Sequence, residues 1–513
     1  MFQTFKKLYQ ANLTTPIGFY RLFASILHSK TNLMVLLEFA ARTYPDRIAI
    51  VEGTEQISYK TLYQETQQLA AQLQKEYQFL AGQKVALLCK NHIPFVQSLF
   101  ALSMLGIDVY LLNVAMNTDQ FDFLIKKHAF NAIIHDRNGE KLILTSNFKA
   151  TCIPTHSSTT GYSIRQLAKQ EFPNRYHLKK SSAGKLIILT GGTTGNFKTA
   201  VRKPSVFNFL NPFFALLNQL NLGNYRSVYI LTPLYHGFGV AALLISIILG
   251  VKIILSQHFK AISAGQKMRM HQVEVLVLVP IILQRLLQEL QEDPNLFEYN
   301  KVILSGGAVL NPTLVQKASS LVPNQLANLY GTSEAGFCVM ATSNDLVKFP
   351  TSIGKKIKGV SIKIQDNKQQ ELPFGTVGML CVKSNWTMSN KTTQWIETGD
   401  LAYINSSGYC FLCGRVDDLV ISGGVNVYPI ELEHILLQHP AVWQAAVIGI
   451  PDAEYGQRLK AFVSLQTKSI LSASELRIWL KGKISGPQTP KEIVFLEQIP
   501  VTSLGKIDKK KLS

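Results

Sequence analysis

From Ala40 to about Leu255 short apolar runs alternate with longer segments of mixed polarity. The runs "RIAIVE", "KVALLC", "DVYLLN", "NAIIHD", "KLIILT", "SVYILT" and "VKIIL" predict strands. Between them, "YKTLYQETQQLAAQLQKEY" and "IPFVQSLFALSMLG" predict helices, and "VEVLVLVP" followed by "IILQRLLQELQ" repeats the unit. Such alternation predicts a layered α/β architecture with much parallel sheet. Beyond Lys348 the segments shorten, and "GVSIKIQDNKQQELPFGTVGMLCVKS" predicts hairpin-like β pieces. Near Arg415 the texture turns glycine-rich and charged, in "GRVDDLVISGGVNVYPIELE", and a compact α+β stretch follows to the end. A domain boundary is therefore expected at Val416, dividing residues 1–415 from 416–513. In the second part "SASELRIWLK" opens with a capping box, Ser472 to Glu475.

Two apolar segments need separate treatment. "GFGVAALLISIILGV" falls short of a bilayer span and holds three glycines, so a buried helix running into a strand is expected. At the N-terminus, "NLTTPIGFYRLFASILHSK" offers Thr15 as N-cap and Pro16 in the first turn. Phe19, Phe23, Ile26 and Leu27 then share a helical face, with Arg21 and Lys30 off it. This segment reads either as a helix packed on the domain or as an interfacial membrane contact through residues 1–30.

Composition narrows the partners. The chain has 513 residues and a formal net charge of +19, from 52 basic and 33 acidic residues. That length predicts two or more domains, and the charge favours anionic ligands such as nucleotides, polyphosphate cofactors or lipid headgroups. No compact basic run with interleaved aromatics points to nucleic acid. Lys6, Lys7 and Arg21 interrupt the first apolar stretches, so no secretory signal is read, and a reducing, cytoplasmic setting is expected. The pair Cys410 and Cys413 in "GYCFLCGR" lacks a second pair or flanking histidines, and reads as two small apolar strand residues.

"GGTTGNFKT", Gly191 to Thr199, nearly spells a Walker loop, but Phe197 replaces its last glycine. The "TAVRKPS" that follows, with Lys203 before Pro204, disfavours the helix such a loop requires. The segment still carries what a polyphosphate needs. Gly191, Gly192 and Gly195 offer exposed amides, Thr190, Thr193 and Thr194 offer hydroxyls, and Lys198 offers charge.

"TGGTTGNFKT" resembles the phosphate loop T-S-G-T-T-G-x-P-K-G of the adenylate-forming superfamily of acyl-CoA synthetases, luciferases and peptide-synthetase adenylation domains. Glycine stands for the serine, phenylalanine for the proline and Thr199 for the last glycine. Further segments are similar in order over nearly the whole chain. "PLYHGFG" resembles the acyl-pocket segment, which implies His236 as a gating ring. "SGGAVL", with Gly306, Gly307 and Ala308, and "NLYGTSEAG", with Asn328 and Gly331, resemble the adenine-binding pair. The resemblance implies that Tyr330 stacks on adenine, Ser333 contacts phosphate and Glu334 holds Mg²⁺. "ETGDLA" supplies Asp400 for the ribose, and "GRVDDLVISGG" supplies Arg415 beside ribose and phosphate, Asp417 as hinge and Gly423-Gly424 for a second-step tunnel. "PVTSLGKIDKKKL" places Lys506 at the family's catalytic lysine.

The implied fold is a large N-terminal domain of layered αβα subdomains plus a small β-barrel-like part, followed by a small mobile α+β domain. The implied chemistry joins a carboxylic acid to ATP, with Lys198, Lys506 and Mg²⁺ offsetting charge, and then to the thiol of CoA or a carrier-protein pantetheine. Adenylation domains for amino acids usually carry an aspartate soon after the pocket aromatic, and "YHGFGVAALLISII" has no acidic residue. Its aliphatic lining and the Phe207, Phe209, Phe213 and Phe214 stretch lean toward a fatty acid, with aryl or polycyclic acids open. A P-loop NTPase and a non-catalytic acyl or nucleotide binder are the competing readings.

Overall fold

The protein is described by a computed structural model covering residues 7–9, 12–156, 161–171, 178–182, 184–191, 197–202, 210–293, 295–384, 386, 394–466, 469–502 and 505–512. The chain forms two compact units, one of Met1–Leu278 with Glu292–Ile303 and one of Val279–Gln291 with Leu304–Ser513.

The first unit opens with α1 (Pro16–Ser29) and α2 (Met34–Thr43), then β1 (Ile48–Glu52), β2 (Glu55–Ser58) and α3 (Tyr59–Glu76). β3 (Lys84–Leu88), α4 (Ile93–Met104), β4 (Asp108–Leu111), β5 (Ala132–His135) and β6 (Thr151–Pro154) follow. β7 (Leu186–Gly191), β8 (Phe197–Arg202), β9 (Ser227–Ile230), α5 (Gly237–Leu249), β10 (Lys252–Leu255) and β11 (Val275–Leu278) complete its main elements. One sheet runs in the order β6-β5-β3-β4-β7-β8, and other strands run β11-β9-β10-β1-β2. Pairing is parallel except at β7–β8 and β1–β2. Every residue of β5, β9 and β11 is buried, which is why these strands read as continuous apolar runs. α4 is buried along its whole length, as a helix apolar on all sides must be. The strands expected from Ala40 to Leu255 are thus present, and "GFGVAALLISIILGV" is a helix leading into a strand.

The turn from β3 to α4 is fixed by a buried ionic knot. His92 caps α4, its Nδ1 accepting the Phe95 N–H at 3.0 Å. That leaves the hydrogen on Nε2, 2.7 Å from Asp136 Oδ1. Asp136 also accepts the Lys90 N–H and the Thr155 hydroxyl, each at 2.7 Å. Burial works to raise the Asp136 carboxyl, but the His92 hydrogen bond, with the other donors, holds it down to about 2. Donor atoms of Cys89, His92 and Asp136 lie within 4.8 Å of one another. With the Nδ1 lone pair committed to Phe95, the group is a hydrogen-bonded pair and not a metal centre.

In the second unit α6 (Pro280–Glu292) and the end of β12 (Val302–Gly306) precede β13 (Leu326–Thr332), β14 (Gly336–Ala341) and β15 (Ser352–Lys356). β16 (Val360–Gln365), β17 (Gly378–Ser384), β18 (Ile396–Ile404) and β19 (Cys410–Arg415) follow, in the order β16-β17-β18-β19-β15-β14-β13-β12. β16 and β17 are the antiparallel hairpin expected over 359–384. The chain then builds β20 (Val420–Ser422), β21 (Val425–Val427), α7 (Pro429–Leu436), β22 (Val442–Asp452), β23 (Gly456–Leu465), α8 (Ala473–Leu480) and β24 (Glu492–Phe495). These strands run β21-β20-β23-β22, with β24 parallel to β23. Leu432 and Leu436 of α7 and Leu476 and Leu480 of α8 cover Val447, Leu459, Ala461 and Val463. The Ser472–Glu475 capping box opens α8 as expected.

Asp136 supplies a pH test of the buried knot. Its depressed pKa contributes stability that is present above the unfolded carboxyl value and is lost as pH falls toward about 2. Asp136→Asn should therefore cost about 2 kcal/mol near neutrality. The gap in melting temperature to wild type should narrow as pH drops below the unfolded value of about 4. An equal gap at both pH values would contradict the ionic origin.

Candidate active site

β13 and β18 bring a tyrosine and a carboxylate together. Tyr330, near the end of β13, donates its phenol hydrogen to Asp400 Oδ2 at 2.6 Å. Burial, reinforced by Asp400, pushes that phenol well above the ordinary tyrosine range, so it stays a neutral donor. Arg415, paired with Asp400 across β18–β19, reaches Asp400 Oδ1 at 3.2 Å and the Thr398 carbonyl at 3.3 Å. Each Asp400 oxygen has two acceptor positions, so one on each is spent within the protein and one is available. Arg415 also approaches Asp417 at 3.7 Å. Asp417 itself is exposed, in a 3-10 turn over Val416–Asp418.

The spacing of the "ETGD" segment has a structural reason that the sequence alone did not supply. The Thr398 hydroxyl donates to the Leu380 carbonyl at 2.9 Å and accepts the Asp400 N–H at 3.1 Å. Between them Gly399 has a φ of +78°, and a Cβ there would lie 2.9 Å from Arg415 Nη2. A side chain at this position would push the guanidinium off the carboxylate.

Glu334 sits half-buried in the turn joining β13 to β14, next to Ser333, and makes no ion pair with a described residue. Gly331 lies in β13, Gly306 ends β12, and Gly307 and Ala308 follow it. Ser305 and Asn328, 0% and 4% exposed, leave Ser305 Oγ and Asn328 Oδ1 without a hydrogen-bond partner among the described residues. Unsatisfied buried acceptors are uncommon and mark a place where a ligand can supply the donor.

Lys506 stands in the terminal turn bridged by Val501 and Ile507. The residue is exposed overall, yet partial desolvation of its ammonium pushes its pKa below the ordinary lysine range. Asp400 and Glu334 oppose that depression and Arg415 adds to it. All three are thus within electrostatic reach of the amine. Gly505 makes the approach possible. Its φ is +70°, and a Cβ would sit 2.4 Å from Ile281 Cγ2 on α6. Lys509 is not part of a solvated tail. Its ammonium bridges Glu433 on α7 at 3.0 Å and Asp418 at 3.5 Å, tying the terminal segment to the turn that holds Asp417. Gly424 is exposed in the β20–β21 turn with a φ of +80°.

In the first unit, β7 and β8 form an antiparallel hairpin in which Thr190 pairs with Lys198 and Gly191 with Phe197. A strand, not a helix, therefore follows the phosphate-loop segment, which rules out Walker geometry and suits the aromatic Phe197. Gly192, Thr193, Thr194 and Gly195 lie outside the described residues, and Thr190, Gly191 and Lys198 are placed by their backbone. His236 is the N-cap of α5 and packs on Tyr235 at 4.6 Å between ring centroids. Buried Asn91 pins this segment, accepting the Leu234 N–H at 2.7 Å and donating to the Thr232 carbonyl at 2.8 Å. Nothing in the sequence pattern singled Asn91 out. Of the pocket aromatics, Phe213 and Phe214 fall in a helix over Leu210–Leu220, whereas Phe207 and Phe209 lie outside the described residues. Cys410 and Cys413 are buried in β19, where burial pushes their thiols up to about 12 and about 11. They are protonated strand residues, as the flanking sequence suggested.

The charges around Lys506 predict a titration result. Competitive acylation of the full chain between about pH 7 and 11 should find Lys506 deprotonating below the ordinary lysines. Asp400→Asn should lower its pKa further, since the carboxylate favours the ammonium. An upward move, or none, would refute the electrostatic coupling of the two groups.

The AMP-binding enzyme family matches residues 37–390, and the AMP-binding enzyme C-terminal domain matches 431–506. The chain is 28% identical over 502 residues to a 2-succinylbenzoate–CoA ligase of Bacillus licheniformis, covering 93% of this chain and 98% of that protein. A 2-succinylbenzoate–CoA ligase of Listeria monocytogenes is 28% identical over 492 residues, with coverage of 93% and 98%. ATP-bound MatB of Rhodopseudomonas palustris has the same fold, with a TM-score of 0.82 at 24% identity over 94% of this chain and 98% of that one. So does the o-succinylbenzoate CoA synthetase of Bacillus subtilis bound to its acyl-adenylate, with a TM-score of 0.80 at 24% identity over 93% and 97%. The fold is the expected mixed α/β one, with a large N-terminal and a small C-terminal domain. The two curated relatives are named for an aryl acid and not for a fatty acid. With a family match over well more than half its length, the chain belongs to the AMP-binding enzymes.

Proposed function

We propose that the chain is an ATP-dependent acid–thiol ligase that activates a carboxylic acid as its acyl-adenylate and passes the acyl group to CoA. The observation that carries this reading is the placement of the Lys506 ammonium within reach of Asp400, Glu334 and Arg415. A carboxylate and a triphosphate repel one another, and the amine is assigned to the point where both would have to meet. Asn328 Oδ1 offers a buried acceptor to an adenine amine, and Tyr330 borders the same strand end. The free acceptor positions on Asp400 suit ribose hydroxyls, with Arg415 beside them. Gly306, Gly307, Ala308 and Gly331 are assigned to the adenine site, where small residues would let a base approach the backbone. Ser333 is assigned to phosphate contact. Glu334, without an ion-pair partner among the described residues, suits Mg²⁺, which would supply charge neutralisation on the phosphates. The loop Thr190–Gly195 and Lys198 are assigned to the outer phosphates, and His236 to the mouth of the acyl site.

In the first step an oxygen of the carboxylate attacks the α-phosphorus. The bond to the β-phosphate breaks, and pyrophosphate leaves with its electron pair. Lys506 holds the reacting oxygens together by charge, and positioning does most of the remaining work. In the second step the thiol sulfur attacks the acyl carbon and AMP leaves, the thiol proton passing to solvent. The C-terminal part, from Val416, is assigned a rotation about Asp417 that withdraws Lys506 and brings Gly424 to the thiol path. A carrier-protein pantetheine in place of CoA would use the same chemistry.

The acid is assigned as apolar. α5 carries no acidic residue, and Val240, Leu243, Leu244 and Ile247 are buried along it. A medium or long-chain fatty acid is the first reading. An aryl acid is the second, favoured by the names of the two curated relatives.

Pyrophosphate release measured over fatty acids of graded length, benzoate and 2-succinylbenzoate, with CoA then added to the hits, decides between them. The proposal expects release only when an acid is present; acid-independent ATP hydrolysis would sink it. Lys506→Ala should lower acid-dependent pyrophosphate exchange at least about a hundredfold while sparing thioester formation from preformed acyl-adenylate. Exchange at the wild-type rate would remove Lys506 from the first step.

A further inference from the structure

The N-terminal helix is packed inside out. Gly18, Ser25 and Ser29 are its buried residues, and Ser25 and Ser29 are 0% exposed. Its large apolar side chains point the other way. Ile17 is 63% exposed, Phe19 66%, Tyr20 70%, Phe23 54% and Leu27 68%. A helix that only filled space on the domain would bury these residues and expose the serines. The helix does pack on the domain, as one reading of the sequence had it, but through its small and polar residues, leaving Phe19, Phe23 and Leu27 outside.

The inward face is held by specific polar contacts. Thr15 caps the helix at Gly18 N, 3.0 Å away. Ser29 and His28 both bond the fully buried Glu38 carboxylate, which also pairs with Arg42 at 2.6 Å. The orientation is thus fixed, and the apolar face is presented by construction.

The N-terminal segment carries charge of one sign only. Residues 1–37 contain no Asp or Glu and carry Lys6, Lys7, Arg21 and Lys30. The first acid along the chain, Glu38, is fully buried and paired. Beyond the helix end, Lys30 Nζ bonds the Lys180 carbonyl at 2.7 Å and Lys180 Nζ bonds the His28 carbonyl at 3.1 Å. The helix also lies ahead of the segment that matches the family, which begins at residue 37. At 14 residues it is about 21 Å long, too short to cross a bilayer but suited to lying in its surface.

We infer that α1 is an interfacial anchor that lays Ile17, Phe19, Tyr20, Phe23 and Leu27 into an anionic lipid surface. Aromatic and aliphatic side chains enter the headgroup boundary, and the acid-free, basic surroundings answer the lipid charge. A second copy of the chain is the competing occupant, but such a contact would set two like-charged N-terminal segments face to face.

Sedimentation of the full chain with vesicles tests this. Wild type should pellet with phosphatidylglycerol-rich vesicles, far less with pure phosphatidylcholine, and less again at high salt. Phe19→Ser/Phe23→Ser/Leu27→Ser should weaken partitioning about tenfold or more without lowering the melting temperature, because the three side chains are exposed. Arg21→Glu should weaken binding to the anionic vesicles alone, and it carries the test with the salt dependence if the triple variant melts lower. Recovery of wild type in the supernatant with phosphatidylglycerol vesicles overturns the proposal. So does a dimer in sedimentation velocity that the triple variant abolishes while no form binds vesicles.

Discussion

An ammonium group on the last turn of the chain feels the charges of two carboxylates and a guanidinium and is partly desolvated. Burial and Arg415 disfavour its charge, while Asp400 and Glu334 favour it. Much of the second unit's local geometry serves that balance. Gly505 lets the turn press against α6, and Thr398 and Gly399 set the angle at which Arg415 meets Asp400. A lysine whose charge is only partly compensated by the protein has attraction left for an anionic reactant.

Polar and apolar contacts together hold the terminal segment in place, with Ile507 and Leu512 packing against Ala446, Phe462 and Ile499. Lys509 bridges Glu433 and Asp418, Gln284 bonds the Trp443 carbonyl at 3.2 Å, and Thr313 bonds the Leu437 carbonyl at 3.1 Å. The apolar core of the C-terminal part is satisfied internally, by α7 and α8 on their own sheet. A part of the chain with its own core can in general move as a unit. The assigned two-step chemistry requires that, because the group that neutralises the first reaction has no use in the second.

The strand–helix alternation was legible because parallel strands buried on both faces must be continuously apolar. β5, β9 and β11 are so buried, and their boundaries were expected within a residue or two. The Lys506, Asp400 and Arg415 positions were legible through a family resemblance, since no periodicity marks them. What the sequence hid is contact made by long-range partners. Asn91 holds the segment before His236 from a different strand–helix turn, and Lys509, one of three consecutive lysines, finds two acids 76 and more residues upstream. The periodicity of α1 was read correctly, but amphipathicity alone does not say which face turns inward. Ser29 does so because the buried Glu38 takes its hydroxyl as a donor, and Ser25, one turn earlier on the same side, turns its own hydroxyl back to the Arg21 carbonyl. The substrate acid was the least legible feature, because an aliphatic wall accepts chains and rings alike.

The central claim is that the C-terminal amine meets the nucleotide. A crystal structure of the full chain with ATP, Mg²⁺ and no acid would test it most directly. The account predicts Lys506 Nζ within hydrogen-bonding distance, about 3 Å, of an oxygen at the α-phosphate or of a solvent molecule in the carboxylate position. Nucleotide bound against Tyr330 and Asp400 with the amine turned away, and no room for it to approach, would contradict the account.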